Sequence, residues 1–180
     1  MSLTTKDLEK LQTDYPDYRM ELVDGEIIVM SPSGYESEEV ATRFTIKLGS
    51  WVDDRRLGRV TGSSAGFTLS NSDTRAPDVS FVFAERLRRS PRGFAELAPD
   101  LMVEVKSPTD SVTKLRKKID DFLSLGTRVG ILINPEKRWV EIRRSGEEPV
   151  TLGDGDRLTI PDLLPGWEVK ITDLWSPEFD

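Results

Sequence analysis

The chain has 180 residues, of which 37% are hydrophobic and 32% are charged, and its formal net charge is −7. The absence of histidine and cysteine excludes Ser-His-Asp and Cys-His catalysis, and it also excludes zinc sites built on imidazole or thiolate. Carboxylates, lysines and hydroxyls remain for chemistry, and this set of side chains suits hard cations such as Mg²⁺ or Mn²⁺.

The length and composition indicate one domain, and we expect a single unit over residues 1–180. No apolar run reaches the roughly eighteen residues of a membrane-spanning helix, so we expect a soluble protein with no membrane partner. Residues 1–16 lack the basic start and apolar run of a secretory signal, and the missing cysteines suit the cytosol. We therefore expect a cytoplasmic protein.

The predicted elements are, in order, a helix, a hairpin, a helix, three strands, a helix, a strand, a hairpin and a final strand. They occupy residues 4–12, 18–32, 36–58, 59–70, 76–84, 99–107, 110–126, 128–135, 138–150 and 160–175. Asp24-Gly25 is a preferred two-residue hairpin turn, and Gly58 and Gly126 are expected to end the second and third helices. This order predicts an α/β core.

Two of the three central strands begin with Pro-Asp, at Asp78 and Asp100, where proline suits a strand entrance. The second of them ends in the sequence Glu-Val-Lys. Because strand residues two apart project from the same face, Glu104 and Lys106 are predicted to project together. If the two strands pair in the right register, the carboxylate of Asp78 lies beside that of Glu104.

Two adjacent carboxylates can bind Mg²⁺, which neutralises a phosphodiester and lowers the pKa of a bound water. Asp78 and Glu104 are therefore candidate metal ligands, with the backbone carbonyl of Val105 as a third. Lys106 would orient the water or stabilise charge on the phosphate. The alternative is a solvated strand face, on which a Glu-x-Lys pair is common and contributes little stability. The spacing of Pro-Asp and Glu-Val-Lys between two helices favours the metal site.

Four segments, "APDVSFV", "PDLMVEVKSPTDS", "KKIDDFLSLG" and "VGILINPE", resemble the Uma-two family of restriction endonucleases, a branch of the PD-(D/E)XK nuclease superfamily. The resemblance covers nearly the whole chain, since "YRMELVDGEIIVMSPSG" is similar to the family's opening hairpin and "LLPGWEVKITDLW" to its closing segment. It implies a restriction-endonuclease-like core, with a mixed central sheet flanked by helices and additional N- and C-terminal β-hairpins.

The resemblance also implies a nuclease that uses Mg²⁺ or Mn²⁺ to hydrolyse phosphodiester bonds of DNA. It makes Asp78 and Glu104 the metal-binding acids and Lys106 the motif lysine. It places Lys118 at a basic position of the following helix, where it can contact phosphate or support the site. The superfamily often adds an acid from the first core helix, whose other interpretation is a solvated helix face. The candidates for that acid are Glu36, Glu38 and Glu39.

The net charge of −7 gives no general attraction to DNA, so affinity must come from two local basic patches. Their other interpretation is solvated surface charge. The patches consist of Arg86, Arg88, Arg89 and Arg92, and of Lys114, Arg116, Lys117 and Lys118. The acidic charge also motivates a second hypothesis, a non-catalytic binding or assembly protein that retains the nuclease fold.

Cleavage of both strands of a duplex is conveniently done by two sites related by a twofold axis, so a homodimer is a further expectation. The aromatic side chains of Trp139, Trp167 and Trp175 are predicted either to cover such an interface or to close the core.

Overall fold

The computed structural model describes residues 2–180. It contains three α-helices and twelve β-strands, and a 3₁₀ turn at Ile171–Leu174 is the last element of the chain. The helices are α1 (Thr5–Asp14), α2 (Tyr35–Asp54) and α3 (Val112–Ser124). The strands are β1 (Arg19–Val23), β2 (Glu26–Met30), β3 (Gly58–Thr61), β4 (Phe67–Thr68), β5 (Thr74–Arg75), β6 (Val79–Phe83), β7 (Leu101–Val105), β8 (Val129–Asn134), β9 (Trp139–Arg143), β10 (Val150–Leu152), β11 (Arg157–Thr159) and β12 (Glu168–Lys170). In this part of the chain, no helix combines the length and the apolar character that crossing a membrane requires.

A six-stranded sheet with the order β10-β9-β8-β7-β6-β3 forms the centre of the fold. β7 and β8 run parallel, and the other neighbouring strands of this sheet run antiparallel. Parallel strands need a long crossover, and α3 supplies the crossover between β7 and β8. Two smaller sheets, with the orders β2-β1-β5-β4 and β11-β12, complete the structure. The sheet is mixed, as predicted.

The two faces of the central sheet pack against different helices. Val103 of β7 belongs to the apolar cluster that contains Phe44 of α2, whereas Met102 belongs to the cluster that contains Phe122 of α3. Since side chains alternate along a strand, Glu104 lies on the same face as Met102. The sheet therefore directs Glu104 toward α3.

The predicted N-terminal hairpin is present, with Val23 paired to Glu26 across the turn. Asp24 and Gly25 both have positive φ, as a type I′ turn requires, at 52° and 77°. β1 also pairs with β5 through Leu22, so the hairpin is joined to the body of the protein. The predicted C-terminal hairpin is formed by β9 and β10 and lies at the edge of the central sheet.

Several predicted boundaries differ from the structure. α2 ends at Asp54, and Gly58 opens β3 instead of ending the helix. A Cβ atom at Gly58 would clash with the carbonyl oxygen of Val82, so this position needs glycine because β3 and β6 pair closely. The predicted strand 59–70 is divided between β3 and β4, which belong to different sheets.

The C-terminal segment also differs from the prediction of one long strand over residues 160–175. Only β12 is extended there, and it pairs with β11, which the sequence analysis did not predict. Turns with Pro161 and Gly166 precede β12, and the 3₁₀ turn follows it. These turns bring buried apolar side chains such as Leu163 and Leu164 onto the core.

Two tryptophans considered for an interface are buried in the core instead. The ring of Trp167 lies 5.6 Å from that of Phe44, and its indole N–H donates to the carbonyl of Lys47. The indole N–H of Trp175 donates to the carboxylate of Asp154. Because the polar end of each indole finds an acceptor, both rings can be buried without cost from an unpaired donor. They close the core and offer no surface to a partner.

α3 approaches β8 closely at Gly130, which has no side chain. A Cβ atom there would clash with Cγ2 of Ile119. The helix begins after Ser111, whose side chain accepts from the N–H of Lys114, and it ends before Gly126, where φ is 116°. Ile119 is adjacent to Lys118 in α3, so the contact of Ile119 with Gly130 fixes how closely Lys118 approaches the central sheet.

We predict that Gly130→Ala destabilises the protein by about 1–3 kcal/mol, because the added methyl group displaces Ile119 and with it α3. Gly155→Ala is the matched control, since nothing lies within 4 Å of a Cβ atom there. Chemical denaturation measures both changes. Equal free energies of unfolding for the two variants would contradict the close packing of α3 on β8.

Candidate active site

The antiparallel pairing of β6 with β7 brings Asp78 to Glu104. Val79 pairs with Val103, so the next positions, Asp78 and Glu104, lie opposite each other where β6 begins and β7 ends. The carboxylate of Asp78 accepts a hydrogen bond of 2.7 Å from the backbone N–H of Val105. The register on which the prediction depended is therefore the one that places the two acids together.

The second Pro-Asp pair occupies the opposite end of the same two strands. The carboxylate of Asp100 accepts a hydrogen bond from the N–H of Phe83, much as Asp78 accepts from Val105. Asp100 is also paired with Arg86 at 2.9 Å, which assigns this arginine of the predicted basic loop to a structural role. Among residues 2–180, no lysine or arginine forms such a pair with Asp78. Of the two aspartates, Asp78 is therefore the one available to a ligand.

Glu104 is buried, with 3% of its surface exposed. Its Oε1 atom lies 3.0 Å from Nζ of Lys118, which neutralises part of its charge as an ion-pair partner. The alternative of a solvated strand face is wrong for Glu104, because every residue of β7 is buried.

The ammonium group of Lys118 joins four parts of the chain. From α3 it donates to the Glu21 carboxylate of β1 at 3.2 Å and to the carbonyl of Ala76, before β6, at 2.9 Å. Its third contact is the ion pair with Glu104 of β7. An ammonium has three N–H donors, and these three oxygens surround it. Lys118 is thus placed to support the acid pair.

Glu21 and Arg75 also belong to this buried group, and neither was predicted from the sequence. The carboxylate of Glu21 accepts from the N–H of Ala76 at 2.9 Å and lies 3.5 Å from Nε of Arg75. Arg75 in turn contacts Asp121 of α3 at 3.2 Å. The available signal was the single acid within the apolar strand sequence "MELV" of the first hairpin.

The buried group has one negative charge in excess if all its members are ionised, because it contains three carboxylates, those of Asp78, Glu104 and Glu21, and two cations, Lys118 and Arg75. Burial raises the pKa of Glu104 to about 8, with Asp78 and Glu21 adding to the effect and Lys118 opposing it. Burial likewise raises the pKa of Asp78.

Lys118 remains an ammonium in this environment. Burial alone would lower its pKa, but the attraction of Glu104, Glu21 and Asp78 outweighs burial and raises the pKa above its usual value. Because Lys118 keeps its charge, the excess negative charge must be neutralised at the carboxylates. Either a proton on Glu104 or a bound cation can neutralise it.

The acid pair lies at the base of an open cleft with a volume of about 350 Å³. One wall is residues 28–33, at the end of the N-terminal hairpin, and the other contains Lys114 of α3. Asp78, Glu104 and Val105 line the base. A ligand can therefore reach the carboxylates from the surface.

The residues at this base fit a divalent cation such as Mg²⁺ or Mn²⁺. Asp78 and Glu104 supply carboxylate oxygens, and Val105 adds a backbone carbonyl. Within residues 2–180, no group of three or more acidic side chains is arranged to hold a metal ion. The protein ligands would thus be two acids and a carbonyl, as is usual for Mg²⁺, which keeps several waters.

The three acids of the first core helix differ in their relation to this site. The charge of Glu38 raises the pKa of Asp78, so Glu38 acts on the site through space. Glu39 pairs with Arg43 on the same helix at 3.3 Å, and Glu36 is exposed. Of the three, Glu38 is therefore the one whose charge acts on Asp78.

Lys106 lies apart from the two acids. Its ammonium donates to the carbonyl of Ser107 at 3.1 Å and lies 3.5 Å from the carboxylate of Glu136, in the turn after β8. Its backbone N–H continues the ladder to Ile133. The structure therefore joins Lys118, and not Lys106, to Glu104 within ion-pair distance.

Several residues of the two predicted basic patches have carboxylate partners. In the helical patch, Arg116 is paired with Glu141 and Lys117 with Asp121, while Lys114 lines the cleft. In the loop patch, the three arginines other than Arg86 are exposed. These are Arg88, Arg89 and Arg92.

The comparisons with known proteins agree with this fold. The model of the Uma2 family, described as "Putative restriction endonuclease", matches residues 5–172. The chain belongs to the Uma2 family. A crystal structure from Anabaena variabilis ATCC 29413, described as a "putative nuclease belonging to DUF820", is similar with a TM-score of 0.82 and 26% identity, over 96% of this chain and 97% of that chain. The restriction-endonuclease-like fold predicted for this Uma2 member is confirmed.

A cryo-EM structure described as a DrdV–DNA complex is also similar to this Uma2 member. The TM-score is 0.45 and the identity 16%, over 84% of this chain and 12% of that chain. The search of curated proteins gave no match.

We predict that Lys118→Met destabilises this Uma2 protein by about 3–5 kcal/mol near pH 8, because it leaves the carboxylate of Glu104 buried without a cation and leaves Glu21 with Arg75 alone. The loss becomes smaller near pH 5, where a proton can neutralise Glu104. Lys117→Met is the matched control, since Lys117 is exposed and its pair with Asp121 contributes little. Thermal or chemical denaturation that gave equal losses for both variants would contradict the account of Lys118.

We also predict a pH dependence of stability that originates at Glu104. A carboxyl whose pKa is about 8 in the folded protein binds its proton more tightly there than in the unfolded chain. Its contribution to stability is therefore largest at low pH and is lost as the pH rises from about 5 to 8, at up to about 1.4 kcal/mol per pH unit.

Glu104→Gln removes this loss, so the difference in unfolding free energy between the Glu104→Gln variant and the wild type shifts in favour of the variant as the pH rises. Glu148→Gln, in the exposed turn before β10, is the control and should follow the wild type. Denaturation curves between pH 5 and about 9 measure the effect. Parallel pH profiles for wild type and Glu104→Gln would show that the pKa of Glu104 is not raised.

Proposed function

We propose that this Uma2 family member is a nuclease that uses Mg²⁺ or Mn²⁺ to hydrolyse phosphodiester bonds of DNA. The observation that carries the proposal is the placement of Asp78 and Glu104, side by side at the base of an open cleft. The excess negative charge of the buried group supports cation binding there. The family description and that of the Anabaena structure support a nuclease.

Asp78, Glu104 and the carbonyl of Val105 would hold the cation. When bound, a divalent cation neutralises charge on the scissile phosphate and lowers the pKa of a water. The chain fixes its carboxylates in advance, since the N–H of Val105 orients Asp78 and the ammonium of Lys118 holds Glu104. Groups that are already oriented need no reorganisation during the reaction. Such preorganisation is the main source of electrostatic catalysis.

The two lysines are suited to different tasks. Lys118 has its three donors directed at protein oxygens, so it positions Glu104 and has none to offer a phosphate. The contact of Lys106 with Glu136 is long, and 70% of the Glu136 side chain is exposed, so this pair is worth little. Lys106 can therefore leave Glu136 and donate to the phosphate or to the attacking water.

The competing hypothesis is a non-catalytic binding or assembly protein that retains this fold. The distance of the Lys106 ammonium from the acid pair and the net charge of −7 favour it. A non-catalytic protein would not depend on metal for any change in DNA, and substitution of Asp78 would leave DNA intact in the same way as the wild type. Cleavage assays therefore separate the two hypotheses.

We predict that the wild type nicks supercoiled plasmid at low salt with Mg²⁺ or Mn²⁺ and that chelation of the metal stops it. Asp78→Asn should abolish nicking, and Lys106→Ala should lower the rate by about 10²–10⁴-fold, the range for loss of a group that transfers or directs a proton. Lys170→Ala, an exposed lysine of β12, is the control and should cleave like the wild type.

Two results would contradict this proposal in different ways. The absence of metal-dependent nicking by the wild type would favour the binding protein. Full activity of Lys106→Ala, with an inactive Asp78→Asn, would retain the nuclease but remove the role of Lys106.

A further inference from the structure

The cleft at the acid pair continues into a groove along the N-terminal hairpin. A second cavity of about 210 Å³ shares Arg19, Glu21 and Arg75 with the cleft and is also lined by Tyr18 and Phe94. A third cavity, of about 460 Å³, shares Phe94 with the second and reaches Arg92. We call this continuous depression, from Asp78 past Arg19 to Arg92, the hairpin groove.

The hairpin groove presents two aromatic rings in fixed positions. Tyr18 is 55% exposed and is steadied by an edge contact with Tyr15, whose ring centre lies 6.3 Å away at an interplanar angle of 82°. Phe94 lies directly on the backbone of Gly66, where a Cβ atom would come within 2.5 Å of its ring. Rings held in this way can stack on flat ligands with little loss of side-chain freedom.

Three cations accompany these rings along the groove. Lys114 lines the end near the acids, Arg19 the middle and Arg92 the far end. In the part of the chain that the structure describes, none of the three forms an ion pair with a carboxylate. Arg19 donates one N–H to the carbonyl of Ser63, which orients its guanidinium and leaves other donors available. Such groups bind phosphates.

We infer that the hairpin groove binds an unpaired nucleic acid strand and leads it to the acid pair. This inference rests on the proposed nuclease function. Aromatic rings next to cations along one line are the pattern by which proteins bind single strands, because bases stack on the rings and phosphates contact the cations.

A duplex fits the groove less well than a single strand. The base faces of a duplex are covered by neighbouring base pairs, so Tyr18 and Phe94 would have nothing on which to stack. A duplex also draws its affinity from many phosphate contacts on a broad basic surface. This protein has a net charge of −7, and the hairpin groove offers three unpaired cations, Lys114, Arg19 and Arg92, in place of a broad basic surface.

Fluorescence anisotropy in EDTA at low salt tests the inference, with a labelled single-stranded oligonucleotide and the duplex of the same sequence as probes. Without metal, the measurement reports binding independently of cleavage. The single strand should bind at least about tenfold more tightly than the duplex, and Tyr18→Ala should weaken its binding by about fivefold or more, the effect expected for loss of one stacked base.

Arg19→Ala should weaken single-strand binding as well and should reduce its dependence on salt, because one phosphate contact is lost. Two controls lie outside the groove and should bind like the wild type. These are Phe179→Ala, an exposed aromatic side chain near the C terminus, and Lys170→Ala.

Duplex binding as tight as that of the single strand, no binding of either probe, or unchanged binding by Tyr18→Ala would each overturn the inference. These outcomes are distinct from failure of the nuclease proposal. A protein that binds the single strand in EDTA but never cleaves with metal retains the groove and loses the nuclease. A protein that cleaves DNA with metal but does not prefer the single strand retains the nuclease and loses the groove.

Discussion

The buried ammonium of Lys118 is the interaction on which the rest of the site depends. It holds Glu21 of β1, the carbonyl of Ala76 and Glu104 of β7 to α3, and without it the buried carboxylates would repel one another. Its position requires that α3 pack closely on β8, which the missing side chain of Gly130 permits. The packing of the amphipathic helix α3 on the sheet and the electrostatics of the cleft are therefore set by the same short stretch of α3, which contains Lys118 and Ile119.

The two Pro-Asp sequences occupy similar positions in the sheet but have different charged partners, and this difference creates the candidate site. Asp78 and Asp100 each follow a proline, begin a strand and accept a hydrogen bond from the end of the neighbouring strand. Asp100 has Arg86 as a partner and closes its end of the sheet. Asp78 faces Glu104 instead, and the excess negative charge there can be relieved by a proton or by a metal ion. The two ends of the strand pair therefore differ, because the carboxylates at the Asp78 end are not fully neutralised by cations.

The α/β order of the elements followed from local patterns, and the mixed sheet followed from the family resemblance. Strand alternation named Asp78 and Glu104 as candidates, but whether they lie together depends on the register between β6 and β7, which the sequence left open. It did not reveal Glu21, whose contact with Lys118 joins residues 97 positions apart and depends on the way the hairpin docks. Arg75 lies on the two-residue strand β5, which is too short to have a periodicity. The orientation of Lys106 depends on a turn that brings Glu136 to it after β8. Such contacts are decided by tertiary structure and leave no mark in sequence spacing.

We infer that the acid pair exchanges a proton for a divalent cation, and titration calorimetry with Mn²⁺ in buffers of different ionisation enthalpy measures this exchange. We predict that one cation binds, that binding at pH 7 releases close to one proton from Glu104, and that proton release disappears well above the Glu104 pKa of about 8. Asp78→Asn should abolish the binding. Absence of Mn²⁺ binding at millimolar concentration, or binding that Asp78→Asn leaves unchanged, would contradict the account.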